Sequence, residues 1–222
     1  MKLRNIAASV TVLVLSSGVI GIQQAVSKQI TSKVQREMPN ASGISASIPL
    51  KDLPSSLTSD SIKSAHINIE SFFLKESGIK TSLKISASEI SKAKPTMIGS
   101  LEVTATISAE TIAKSSEFND AQIVGNALQV SAGSGGLGKA LLIPKYSDNQ
   151  LYFELQSVSL FGSEIPASSL PAELNSQIKS KSQRTLTPPN GLTVKSVSLS
   201  SKGLSVKMTG SKVQLGTLSS GL

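Results

Sequence analysis

The residues able to do chemistry are few, and most fail on spacing. Gly133-Ser134-Gly135-Gly136-Leu137-Gly138-Lys139 fits the G-x-x-x-x-G-K pattern of a phosphate-cradling loop. Ala140 follows where that chemistry needs a Ser or Thr hydroxyl for magnesium. The apolar run to Pro144 is also too short for the required helix, so the segment reads as a turn. The single histidine, His66, sits between Ala65 and Ile67 in a strand-like segment. With no cysteine and no Ser-elbow motif it lacks the partner of a nucleophile–base pair and reads as structural. Glu102, Glu110 and Glu117 fall on different elements and read as solvated charges, not as a glycosidase pair. The absence of cysteine from 222 residues excludes disulfides, a thiolate nucleophile and Cys-ligated zinc or iron–sulfur clusters. One histidine excludes a His-rich metal site, and 3% aromatics without tryptophan argues against a base-stacking platform. The expectation is a non-catalytic chain with no cofactor and no nucleic-acid partner.

The charge that remains is basic: 22 Lys and Arg against 14 Asp and Glu, a formal +8. Such a balance favours an anionic lipid surface or envelope polymer once nucleic acid is set aside. Lys80, Lys84, Lys195, Lys202, Lys207 and Lys212 recur singly along alternating segments, as on a solvated strand face. Lys179, Lys181 and Arg184 form the densest group, near the end of a helical segment where the helix dipole favours cations. They are the candidate contacts for an anionic headgroup.

Elements must hold these groups in place. Lys2 and Arg4 precede an uncharged stretch whose apolar heart runs from Ile6 to Ile22. A basic start followed by an apolar run reads as an export signal, with the positive end cytoplasmic. Residues 1–24 are either a cleaved signal peptide or a retained membrane anchor: no Ala-x-Ala site follows, and the run is near the lower limit for spanning a bilayer. Val26, Ile30 and Val34 then mark an amphipathic helix that stops before Pro39. Ile44, Ile48 and Leu50 suggest a strand, and Lys51 to Asp60, with Leu53, Pro54 and Leu57, a short turn or a one-turn helix.

From residue 61 the period becomes two. Ile67, Ile69 and Phe73 share a parity with a break at Ser71. Thr81, Leu83, Ile85 and Ala87 alternate with polar residues, as do Leu101, Val103, Ala105 and Ile107. Ser108 can cap a short helix containing Ile112. Ile123 to Val130 reads as one strand, and strands flank the Ser147-Asp148-Asn149 turn. Pro166 to Arg184 reads as a helix with Leu170, Leu174 and Ile178 on one stripe. Pro188-Pro189-Asn190-Gly191 is a turn leading into a hairpin over Leu192 to Met208. Two strands switch parity midway. Leu151, Phe153 and Leu155 give way to Val158 and Leu160, and Leu192 and Val194 to Val197 and Leu199. Each switch needs one extra residue, a β-bulge, and bulges bend and twist a sheet.

The hairpin carries a resemblance. Pro188-Pro189-Asn190-Gly191-Leu192, Val194 and Val197, Gly203-Leu204-Ser205-Val206, and Gly210 to Leu215 resemble the C-terminal signature of the LmeA-like phospholipid-binding family. The order of basic start, export segment, amphipathic helix and strand is similar too. Leu53-Pro54 stands where that family often has Pro-Phe-Leu, here without the Phe. The resemblance implies an α+β, tubular lipid-binding-like fold: a long curled antiparallel sheet wrapped around one or two helices, preceded by the export or anchor helix. It implies a single domain over 25–216, with a frayed tail over 217–222. The implied function is an actinobacterial-type envelope protein binding phospholipid acyl chains between sheet and helix, possessing phospholipid and the membrane surface as partners. Residues on the apolar parity of the strands are the candidate lining: Phe73, Leu83, Ile85, Leu101, Val103, Leu151, Phe153, Leu155, Leu192, Val194, Leu204 and Val206. The alternative is a non-catalytic envelope structural or protein-interaction domain without bound lipid.

Overall fold

Alternating segments form strands wherever one face can be buried, and antiparallel sheet dominates this chain. The structure, a computed structural model, describes residues 28, 31–32, 35, 40–74, 79–93, 95–115, 120–132 and 138–214. The export segment, the Val26–Ile30–Val34 stripe, Glu117, the first five residues of the Gly133 loop and the tail lie outside the described residues. Among the described residues no helix is long and apolar enough to cross a membrane.

The strands are β1 (Ser42–Ser47), β2 (Ser61–Leu74), β3 (Ile79–Ser91), β4 (Met97–Ser108), β5 (Gln122–Val124), β6 (Ala127–Ala132), β7 (Gly138–Ser147), β8 (Gln150–Leu160), β9 (Ser163–Pro166), β10 (Arg184–Thr185), β11 (Thr193–Ser200) and β12 (Gly203–Gln214). Of the helices whose bounds fall within the described residues, α1 is Leu53–Thr58, α2 Ala109–Ser115 and α3 Ala172–Ser182; residues 28, 31, 32 and 35 are also helical. One six-stranded sheet has the order β1-β2-β3-β4-β12-β11; a second runs β10-β8-β7-β6-β5, with β9 also on β8. By contacts the chain divides into two compact units. The first comprises Thr106–Leu186 and Ser196–Val206. The second comprises the described parts of residues 2–105 and 207–222, with Thr187–Lys195.

In the second unit, Ala65, Ile67 and Ile69 of β2 stand opposite Ala87, Ile85 and Leu83 of β3, and all six are buried. Ile98, Leu101, Val103 and Ala105 bury the matching face of β4. The break at Ser71 is a bulge: Ile69 pairs with Leu83 but Phe72 pairs with Thr81, so Glu70 and Ser71 together face Ser82. This moves Phe73 off the parity of Leu83, to the register position of exposed Lys80. The turn before β11 forms as expected, closed by Leu192 N–H donating to Pro189 O at 3.0 Å. Gly210 is required because a Cβ there would overlap the Gly191 carbonyl, so turn and strand approach closely.

The first unit has its own core: Ile112, Ala121, Leu128, Val130, Ala140, Leu142, Leu155, Val158, Leu199 and Leu204. Ser108 caps α2, accepting from Thr111 N–H at 3.2 Å, and thereby delivers Ile112 to that core. β7 and β8 meet at Asp148-Asn149, both with positive φ (52° and 58°), the two-residue turn that matches strand twist. Leu141 pairs with Ser157 but Leu142 with Leu155, leaving Gln156 as the bulged residue where β8 switches parity. In β11, Lys195 and Ser196 are both exposed at the corresponding switch.

Two segments differ from the sequence expectation. Ile123 to Val130 is not one strand but the β5–β6 hairpin, folded at Gly125-Asn126 with Gly125 at φ 61°. The helix expected from Pro166 begins only at Ala172. Before it, β9 returns along β8 through a Phe161-Gly162 turn, and a single 3-10 turn spans Ala167–Ser169.

Candidate functional site

The site is built outward from β8. Leu151, Phe153 and Leu155 pack on the first unit's core: Leu155 is buried, Leu151 and Phe153 half-buried. Tyr152 and Glu154 lie on the opposite parity, where Glu154 meets Lys145 at 3.5 Å. β10 pairs with the start of β8, Arg184 opposite Leu151, and β9 pairs with its end from Ser157 to Leu160. Between these two short strands the edge of β8 has no strand partner among the described residues.

Helix α3 covers that gap by an unusual means. The side chain of Ser182 accepts from Phe153 N–H at 2.9 Å, and Asn175 Oδ1 accepts from Leu155 N–H at 3.2 Å. Two polar side chains of the helix thus satisfy edge donors that would otherwise seek water or another strand. Ser182 in turn donates to Ile178 O at 2.7 Å, which fixes its rotamer. The helix follows Pro171, whose missing N–H costs nothing at a helix start, and it carries Glu173 in its first turn and Lys179 and Lys181 in its last. No residue of α3 is fully buried. Leu170 and Ile178 pack partly against the core, whereas Leu174 is 40% exposed. The expected three-residue stripe does not form on α3: Leu170 precedes the helix and packs on the core from there, Ile178 packs partly against it, and Leu174 turns outward.

The basic group gathers at the end of α3. Lys179 Nζ lies 4.4 Å from the centroid of the Tyr152 ring, a cation–π contact. Arg184 Nη1 donates to Lys181 O at 2.9 Å and to Gln183 O at 2.8 Å, closing the carbonyl end of the helix. Lys181 is exposed. Nearby, Tyr146 Oη donates to Asn149 Oδ1 (3.0 Å) and Leu186 O (3.3 Å), and burial pushes the phenol's pKa up from 10.0.

The twelve candidate lining residues divide between the units. Leu151, Phe153, Leu155, Leu204 and Val206 fall in the first, where Leu155 and Leu204 join one core and Leu151 and Phe153 pack against it. Phe73, Leu83, Ile85, Leu101, Val103, Leu192 and Val194 fall in the second. Leu101 and Val103 are 0% exposed, so in this conformation they touch only protein. Val194 is half-buried. His66 is exposed on β2, with Nδ1 3.0 Å from Ser86 Oγ on the neighbouring strand. Gly138 and Lys139 open strand β7, not a helix, so the phosphate-loop pattern lacks its structural context. The sequence gives no sign of Asn175, Ser182 or Tyr152. A side-chain bond to a strand edge has no period, and Asn175 and Ser182 stand seven residues apart, two helix turns, among other polar residues.

Comparison of the chain with protein-family models, with curated proteins and with solved structures finds no match. The functional reading therefore stands on the residues and on the seam between α3 and β8.

Proposed function

We propose that this chain is an exported cell-envelope protein of LmeA-like type that binds phospholipid. An acyl chain lies along the seam between α3 and β8, against Leu151, Phe153 and the aliphatic interior beyond them. One observation carries this reading. Two residue sets named on separate grounds meet here: apolar Leu151, Phe153 and Leu155 lie on β8, and of the basic set Lys179 and Lys181 lie on α3 and Arg184 on β10, which pairs with β8 at Leu151. Each methylene buried contributes about 0.8 kcal/mol, so about eight of them give roughly 6 kcal/mol before the cost of ordering. The headgroup contacts are unequal. Lys181 is exposed and is the principal cation for a phosphate; Lys179 shares its charge with Tyr152, and Arg184 already holds helix carbonyls.

The test is Lys181→Glu in a vesicle assay. Binding to anionic vesicles should weaken about fivefold or more at low salt, with the difference shrinking as salt screens it. Uptake of the acyl chain from neutral vesicles should be unchanged. Equal binding by both proteins at every salt concentration would remove Lys181 from the site.

A further inference from the structure

We propose that α3 is a detachable strap: it leaves the edge of β8 as one unit, and this opening is the route by which an acyl chain reaches the interior of the first unit. The proposal rests on the lipid reading above and adds how access is controlled. Four observations carry it. No residue of α3 is fully buried, so detaching it empties no core position. The middle of the β8 edge is sealed by side chains and not by a strand, through Ser182 on Phe153 N–H and Asn175 on Leu155 N–H. The connections at both ends of the helix are light: a single 3-10 turn after β9 on one side, and the two-residue β10 on the other. The β8 strand under the strap is apolar on one parity, with half-buried Phe153 and Leu151 packed against the core cluster that contains Leu155 and Leu142.

These features set a specific energetic balance. Edge donors of a strand can exchange a serine or asparagine oxygen for water at little net cost, because water replaces each bond. Of the apolar side chains on α3, detachment breaks the partial core contact of Ile178, and with it goes the Lys179–Tyr152 contact. The strap is therefore among the least stable parts of the fold, while β7, bonded to both β6 and β8 over Gly138 to Leu142, is among the most stable. Because Ser182 and Asn175 sit on the same short helix, the two seals should break together.

Amide hydrogen exchange in the full chain tests this. Phe153 and Leu155 should exchange at rates matched to each other and on the order of a hundredfold faster than Ala140 and Leu141. Ser182→Ala removes only the acceptor for Phe153, yet it should accelerate both amides roughly fivefold to tenfold, and Ser182→Thr should restore them. The same Ser182→Ala protein should load fluorescent phospholipid from phosphatidylglycerol vesicles faster than the parent. Acceleration confined to Phe153, or exchange at both amides as slow as in β7, overturns the strap. Coupled exchange with unchanged loading overturns the access route and leaves lipid binding standing. Coupled exchange in a parent protein that never loads lipid overturns the binding reading, and the route with it.

Discussion

At the scale of single residues, the site depends on side chains that serve backbone groups. Ser182 and Asn175 occupy edge donors, Arg184 closes a helix, and Tyr146 ties Asn149 to Leu186. Tyr146 gives a pH prediction. Its pKa is raised in the folded chain by burial, so the neutral phenol is favoured there. The contribution is fully present below the ordinary value of 10.0 and is lost as pH rises through the higher folded value. Tyr146→Phe should lower stability by about 1 kcal/mol at pH 7 through the lost hydrogen bonds. The gap to the parent should narrow above pH 10, as followed by urea unfolding across pH 8 to 11. A gap that widens with alkalinity would contradict the assignment. At this scale the sequence was informative about parity and silent about partners. The inward parity of Leu155 and Leu204 is legible, though not that both sit in the buried core, whereas Phe73 is displaced by a bulge whose extent over Glu70 and Ser71 the alternation does not show.

At the scale of elements, legibility follows from how local each cause is. The β8 bulge at Gln156 is visible in advance because a parity switch records it directly. The cap on α2 is visible because Ser108 and Thr111 are three residues apart. The β5–β6 hairpin is not, since Gly125-Asn126 interrupts a stretch whose apolar residues continue on either side. β9 is hidden for another reason: its turn places Phe161 at φ 51°, a conformation that Asn or Gly normally takes. The hairpin β11–β12 begins its second strand at Gly203, with φ 125°, where a Cβ would overlap the Ile107 carbonyl. Gly203→Ala should therefore destabilise the chain by about 3 kcal/mol, through both the backbone conformation and the overlap. Thermal unfolding measures this, and a change below about 0.5 kcal/mol would show that the hairpin tip relaxes freely.

At the scale of the whole molecule, antiparallel strand content and the basic balance follow from composition and period, but the grouping into units does not. Ser196–Val206 joins Thr106–Leu186, and Thr187–Lys195 joins the earlier strands, because distant segments pair. No local period encodes such pairing. The candidate lining residues read as one continuous face in sequence are accordingly shared between two units, and two of the half-buried ones, Leu151 and Phe153, lie on β8 in the same unit as α3. The net charge of +8 supports the proposed binding at an anionic lipid surface. The most direct test of lipid binding is mass spectrometry of an organic extract from the full-length protein purified without detergent. Phospholipid is expected near one molecule per chain, and the stripped protein should reload from vesicles. A protein that carries no lipid and takes none up from vesicles would contradict lipid binding.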